Sequence, residues 1–365
     1  MLHLTDTLEP GGMERVAVNL VNALPRDRFV PSLCTTRRGG PLSDLVAPDV
    51  AQIDLARRRT IDVRALGKLT GFIRANQVRI LHAHGSSLFT AIAASYLPPY
   101  PAVVWHDHCG FQETAPRSVG LYRAAVSRVS GVISVNELLA KWARTQLGFR
   151  DDRVWYVPNF VPEDGVTEMA PPRLPGLPGT RIVCVANLRP QKSHVTLVTA
   201  FAQVAREFPE AHLLLVGREA DRDCAELVRS QIRTHDLGGR VTMLGERADV
   251  AAILRQCDVG VLSSIGEGFP LALVEYGQAG LPVVATNVGQ CAEVLDHGEA
   301  GTLVAAGDPA ALGAALSEVL RSPERGVRAG QRLYQRVRER YAAGAVIQQI
   351  SRVYEIVAQR SLSHA

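Results

Sequence analysis

Ser263–Gly280 reads SSIGEGFPLALVEYGQAG and sets two carboxylates, Glu267 and Glu275, around a Gly-Phe-Pro turn. Just before it, Asp258–Leu262 (DVGVL) has the apolar run of a short buried strand. Just after it, Leu271–Ala279 carries apolar residues at the spacing of a helix packed on a sheet. Gly268 permits a sharp bend, and Pro270 suits a first helical turn. Main-chain N–H groups at such a start are open to an anionic or hydroxyl-rich ligand. Phe269 and Leu271 can donate there, whereas Pro270 cannot.

The strand–turn–helix unit recurs on both sides of this stretch. In the first half, Met1–Thr5, Phe29–Cys34, Ile80–Ala83, Ala102–Trp105, Val132–Val135 and Val154–Val157 read as strands. Met13–Leu24, Val63–Gln77 and Ser87–Ser95 read as helices between them. Residues 158–180 then carry Pro158, Pro162, Pro171, Pro172, Pro175 and Pro178, which excludes a helix or a central strand and predicts a link. The alternation restarts with strands Arg181–Ala186, His212–Val216, Val241–Leu244, Asp258–Leu262, Pro282–Ala285 and Gly301–Val304. Val195–Glu207 and Asp221–His235 are helices within it, and Tyr341–Arg360 is a further helix beyond the second sheet. The expected fold class is α/β, with domains over residues 1–165 and 166–340 and a terminal helical segment over 341–365. Ligands of such sheets bind at the carboxyl ends of the strands, in a cleft between the two halves.

Composition agrees with two domains of ordinary size. The chain has 365 residues, 47% apolar and only 5% aromatic, so Ala, Val and Leu build the core. No apolar run approaches the roughly eighteen residues of a spanning helix. The start, MLHLTDTLEPGG, reads as a first strand and not as a signal peptide. Six dispersed cysteines form no CxxC and suggest reduced thiols, hence a cytoplasmic location. A net charge of +4 argues for no nucleic-acid partner. Arg37-Arg38 and Arg57–Arg59 are either solvated loops or a surface for peripheral contact with anionic lipid.

Four further places carry residues suited to chemistry. Gly11-Gly12, between the first strand and first helix, is either a tight turn or a place where backbone N–H groups approach a ligand closely. It is neither a GxGxxG fingerprint nor a P-loop. His106-Asp107-His108 follows the strand Val103–Trp105 and is expected to open a loop. With His82 and His84 these histidines could hold a metal, but the spacing matches no zinc pattern, and no metal ligand is assigned. Asn187–Lys192, NLRPQK, presents Lys192 on a proline-stiffened loop, where it is either solvated or able to neutralise a phosphate. Glu267 and Glu275 are either structural, through capping and a salt bridge, or ligand-binding.

These landmarks stand in the order found in a large family. Gly11–Arg15, His106–His108, Asn187–Lys192, Glu267 and Glu275 at Glu-x7-Glu spacing, and Pro282–Thr286 together resemble the retaining glycosyltransferases of family 4. That family includes sucrose synthases and bacterial mannosyltransferases, and the resemblance covers almost the whole chain. It implies a GT-B architecture, two Rossmann-like domains facing across a cleft, with the terminal helix crossing back to the first. It further implies a donor that is a UDP- or GDP-sugar, no cofactor, and a glycan, lipid-linked or small-molecule acceptor. Glu267 would contact hydroxyls of the donor sugar, and Glu275 the ribose. Lys192 would meet the β-phosphate, and Gly11-Gly12 would lie against the diphosphate. One of His106 and His108 would touch the sugar near the reacting centre. Gly217-Arg218, Gly245-Glu246 and Ser263-Ser264 would line the donor site along with Gly268, Phe269 and Leu271. Where the family has an arginine five positions before the lysine, this chain has Asn187, and Arg189 is the candidate replacement. Acceptor residues are expected around Thr60–Arg64 and Cys109–Arg117. Retention would arise by same-face attack assisted by the leaving phosphate. The rival readings are a sugar-nucleotide epimerase of the same fold and a non-catalytic sugar-nucleotide-binding protein.

Overall fold

The computed structural model describes residues 1–108, 118–162 and 172–362. The chain divides into two compact units, Met1–Phe160 with Ala343–Ala365, and Val161–Ala342.

The first unit is built on seven strands: β1 Leu2–Thr7, β2 Ser32–Arg38, β3 Ala51–Asp54, β4 Ile80–His84, β5 Ala102–Asp107, β6 Val129–Ser134 and β7 Val154–Tyr156. Their spatial order is β3-β2-β1-β4-β5-β6-β7, and every pairing is parallel. Parallel strands need helical crossovers on both faces, so β1, β4, β5 and β6 are almost wholly buried. Helix starts are fixed locally: Asp62 accepts from the Ala65 N–H and Asn136 from the Leu139 N–H. The helix Ala343–Leu362 belongs to this unit, and Val346, Ile350, Val353, Tyr354 and Val357 give it one buried stripe.

Several strands differ from expectation, among them β6, which begins at Val129 and not at Val132. The second runs over Ser32–Arg38, not Phe29–Cys34, because Pro31 has no N–H for the ladder and Val30 is left 78% exposed. The edge strand Ala51–Asp54 escaped the sequence reading because its side chains are mostly exposed and show no apolar pattern. The strand ending in Trp105 continues through His106 and Asp107, which pair with His84 and Ser134. His106 is therefore a buried strand residue and not the opening of a loop.

The second unit carries six strands: β8 Arg181–Val185, β9 His212–Val216, β10 Val241–Gly245, β11 Val259–Leu262, β12 Val283–Thr286 and β13 Thr302–Val304. Their order is β10-β9-β8-β11-β12-β13, again parallel throughout. Strand order reverses between β8 and β11, the place in such open sheets where ligands bind. Helix Leu271–Gln278 follows β11 and is pinned to the sheet by Tyr276, which is fully buried. Its hydroxyl accepts from the Val185 N–H at 2.7 Å and donates to the Val261 carbonyl at 3.1 Å. The five described cysteines are free and buried. Among the described residues no helix is long and apolar enough to cross a membrane.

Candidate active site

In the second unit Lys192 and Glu267 meet at the strand reversal. Lys192 closes a short 3-10 turn, Pro190–Lys192, in the loop after β8. Glu267 lies in the loop after β11. Two backbone links hold the loops together: Ile265 N–H donates to the Gln191 carbonyl at 2.8 Å, and Ser263 Oγ donates to the Lys192 carbonyl at 2.9 Å. Lys192 Nζ then donates to Glu267 Oε1 at 2.6 Å, and Ser264 Oγ donates to the same oxygen at 2.6 Å. The carboxylate side chain is only 7% exposed and the lysine 23%, so the pair is charge-assisted and largely shielded from water. Among the described residues both hydrogen bonds fall on Oε1, which leaves Oε2 as the oxygen available to a ligand hydroxyl.

The backbone beneath Glu267 is equally constrained. Gly289 has φ +52°, and a Cβ there would come within 2.2 Å of the Glu267 carbonyl oxygen. Thr286 Oγ1 donates to the Ser264 carbonyl at 2.6 Å, so β12 props the loop from behind. Thr286 closes the Pro282–Thr286 landmark of the sequence, whereas Gly289 stands in an ordinary Val-Gly-Gln turn with nothing to mark it.

The remaining donor-site candidates of this unit sort by position. Gly217 directly follows β9, has φ +154°, and would drive a Cβ to 2.2 Å from the Ala186 carbonyl oxygen. Its N–H donates to the carbonyl of Gly245, at the end of β10, at 2.9 Å. Asn187 Oδ1 accepts from the Arg218 N–H at 3.1 Å, so this residue fastens the same turn. Arg189 precedes the 3-10 turn and gives its carbonyl to the Lys192 N–H at 3.0 Å. Gly268 lies next to Glu267 in the chain. Phe269 is buried edge-on against Tyr341, with ring centroids 5.4 Å apart, so only its backbone is available to a ligand. Leu271 starts the helix on which Glu275 lies one turn further along.

In the first unit the strand ends carry histidines. His3 on β1 pairs with His82 on β4, and His84 pairs with His106 on β5. Alternate residues of a strand share a face, so His82 and His84, and likewise His106 and His108, point the same way. Five imidazoles meet on that face, joined by Tyr354 from the helix Ala343–Leu362. Burial pushes His3, His82, His84 and His106 well below the ordinary histidine value, and His108 down to about 3. These rings are neutral at pH 7. Two triplets, His3/His82/His84 and His84/His106/His108, bring ligand atoms within 4.8 Å of one another. The sequence reading held four of these histidines; His3 and Tyr354 had no local signal.

Asp6, at the end of β1, is a second polar centre that the sequence reading missed. It accepts from Thr36 Oγ1 and from Ser86 Oγ, the latter at 2.5 Å, and Arg57 approaches to 3.9 Å. Gly11 is extended, with φ −159°, a conformation any residue adopts, and Gly12 opens the helix Gly12–Ala23. Thr60–Arg64 is an exposed stretch in which Ile61 is 84% and Val63 80% accessible. Cys109–Arg117 lies outside the described residues.

Two family models match consecutive parts of the chain: one described as Glycosyltransferase Family 4 over residues 10–164, and one described as glycosyl transferases group 1 over 179–322. A phosphatidyl-myo-inositol mannosyltransferase of Mycolicibacterium smegmatis is 30% identical over 300 residues, which cover 80% of this chain and 74% of that protein. The chain belongs to glycosyltransferase family 4. The enzyme of the same description from Mycobacterium leprae is 36% identical over 248 residues. That alignment covers 66% of this chain and 62% of the relative, so the match spans less than two thirds of its length. Among solved structures, Anabaena HepE, crystallised with UDP and glucose, matches with a TM-score of 0.81 at 21% identity. It covers 97% of this chain and 98% of its own. The fold of this family 4 member is thus GT-B, two Rossmann-like units.

Proposed function

We propose that this family 4 member is a retaining hexosyltransferase that takes its sugar from a nucleoside diphosphate donor and passes it to a hydroxyl of a glycan, lipid-linked or small-molecule acceptor. The observation that carries the reading is the Lys192–Glu267 pair, a cation and a carboxylate held together at the strand reversal of the second unit. Sugar transfer is limited by departure of the diphosphate, whose β-phosphate oxygens gain charge as the glycosidic bond lengthens. A fixed ammonium stabilises that charge without reorganisation. Lys192 is assigned this role, with Arg189 beside it. Glu267, oriented through Oε1, is assigned to hydroxyls of the transferred sugar through Oε2. Glu275 is assigned to the ribose, and the backbone at Gly217, Gly245, Gly268, Phe269 and Leu271 to the nucleotide.

In the first unit, Gly11 and Gly12 are assigned to the diphosphate and His106 and His108 to the reacting sugar. Because Lys192 supplies the charge for the leaving group, turnover should survive chelation. Retention follows if the acceptor attacks the face that the phosphate leaves, the phosphate oxygen taking the acceptor's proton. The relatives named above act on, or were solved with, sugars and nucleotides, which supports the class of donor.

A panel of UDP-, GDP- and ADP-sugars, titrated with EDTA present and scored for binding and nucleotide release, tests this. Saturable binding of one nucleotide class, lost in Glu275→Ala and Lys192→Ala, is expected. Binding of no donor overturns the assignment, and donor epimerised without acceptor points to the epimerase chemistry.

A further inference from the structure

The buried histidines of the first unit form one unbranched chain of hydrogen bonds. His106 Nδ1 lies 3.0 Å from His82 Nε2, and His82 Nδ1 lies 2.6 Å from the Tyr354 hydroxyl. That hydroxyl is 3.3 Å from His3 Nε2, His3 Nδ1 is 3.1 Å from His84 Nε2, and His84 Nδ1 is 2.9 Å from His108 Nε2. The two nitrogens left over, His106 Nε2 and His108 Nδ1, are buried and have no partner among the described residues. They belong to adjacent rings whose centroids are 4.0 Å apart.

Hydrogen counting restricts what this chain can be. A neutral imidazole has one N–H and one bare nitrogen, and a phenol has one O–H. If every link holds one hydrogen, a choice at any ring forces all the others. When His82 donates through Nε2, its Nδ1 must accept from Tyr354, which must accept from His3 Nε2, and so on to His108. Only two arrangements fill every link: all five rings protonated on Nε2, or all five on Nδ1. In the first, His106 presents a donor at the open end and His108 a bare acceptor. In the second these roles are exchanged. A mixed arrangement leaves a buried link without its hydrogen or with two, which burial penalises.

We propose that Tyr354, His3, His82 and His84 are positioning residues that hold His106 and His108 in one shared tautomer, so that their open nitrogens always offer one donor and one acceptor to an uncharged hydroxyl. A phosphate or carboxylate oxygen needs donors from both rings, and an ammonium needs acceptors from both; neither is met. A hydroxyl, which gives one hydrogen bond and takes another, satisfies both ends. Naming that hydroxyl as belonging to a sugar rests on the glycosyl-transfer reading; the tautomer coupling does not.

Long-range ¹H–¹⁵N correlation spectra of the full-length, ¹⁵N-histidine-labelled protein at pH 7.5 test the coupling directly. The five rings should show one common tautomer, or one common ratio if the two arrangements exchange. Tyr354→Phe removes the central link, and the ratio in His82 and His106 should then separate from that in His3, His84 and His108. Methyl glucoside should move all five wild-type ratios together, and inorganic phosphate none. Opposite tautomers within the wild-type chain, or a doubly protonated ring, would overturn the proposal. So would zinc binding at one equivalent that removes the His84, His106 and His108 N–H signals, or a response to phosphate equal to that to glucoside. If Tyr354→Phe does not fold, the wild-type spectrum alone decides. A protein with matched tautomers that releases no nucleotide would remove the transferase reading and leave the coupling standing.

Discussion

The two units share a parallel sheet with the same reversal of strand order, yet they hold their polar residues in opposite ways. The second unit keeps two full charges, Lys192 and Glu267, in loops beyond the strand ends, where 23% of the lysine side chain still meets solvent. The first unit sinks five imidazoles into the face of the sheet itself, with His3, His82 and His84 wholly buried. Burial disfavours charge there, so one unit carries an ion pair and the other a neutral hydrogen-bond chain. Burial decides the chemistry: the partly exposed loops of the second unit keep an ion pair, and the buried rings of the first stay neutral.

The contrast is broken most severely at Lys192. Lys192→Ala removes the cation and leaves the Glu267 carboxylate nearly buried, with Ser264 its one remaining side-chain donor among the described residues. Loss of about 10²–10³-fold in kcat is expected, the usual cost of one preorganised charge or donor at a developing anion. Steady-state kinetics at saturating donor check this, and a kcat within threefold of the parent would remove Lys192 from the leaving-group role.

Acid should break the first unit next. The five buried rings have folded-state values below the roughly 6.5 of an unfolded histidine. Between those values the unfolded chain binds more protons, so stability is complete above about 6.5 and falls as the pH drops toward the folded values. Each ring contributes up to about 1.4 kcal/mol per pH unit in that window. Urea melts from pH 7.5 to 4.5 should show a fall of several kcal/mol, beginning near pH 6.5. A flat profile would mean that the rings are solvated in the folded state.

Gly289→Ala sharpens the picture of the second unit. The added methyl meets the Glu267 carbonyl oxygen at 2.2 Å from a backbone with φ +52°. A loss of about 1–3 kcal/mol in stability is expected, with a lower kcat as Glu267 shifts. Unchanged kinetics beside reduced stability would show that the position of Glu267 is not set from behind. The smallest effect belongs to Asn187→Ala, which deletes one acceptor for the Arg218 N–H. About 1 kcal/mol and a raised KM for donor are expected, with kcat unaltered. If kcat falls as far as in Lys192→Ala, Asn187 has the role of the arginine it replaces.

Much of the second site was legible because its parts are local. Gly268, Pro270 and the apolar spacing after them announce a turn and a helix start, and Glu267 and Glu275 take their places from that start. NLRPQK announces a stiffened loop at the next strand end but not its target. Asp6 and Gly289 were missed for the same reason: a lone aspartate after a strand and a glycine in a turn look like dozens of others. Phe29 and Val30 carry the apolar signal of a strand, but Pro31 cannot join the ladder, so the strand begins only at Ser32.

By itself the sequence determined the alternation of strand and helix, the interruption between the halves, and the face on which each His-x-His pair lies, since these depend on periods of two and 3.6 residues. Only the tertiary structure decided which faces meet. Lys192 reaches Glu267 across 75 positions because β8 and β11 are neighbours, and Tyr354 reaches His82 across 272 because the last helix packs on the first unit. Periodicity is a property of short segments, whereas strand order and helix docking are set by the burial of whole faces, which no local pattern records.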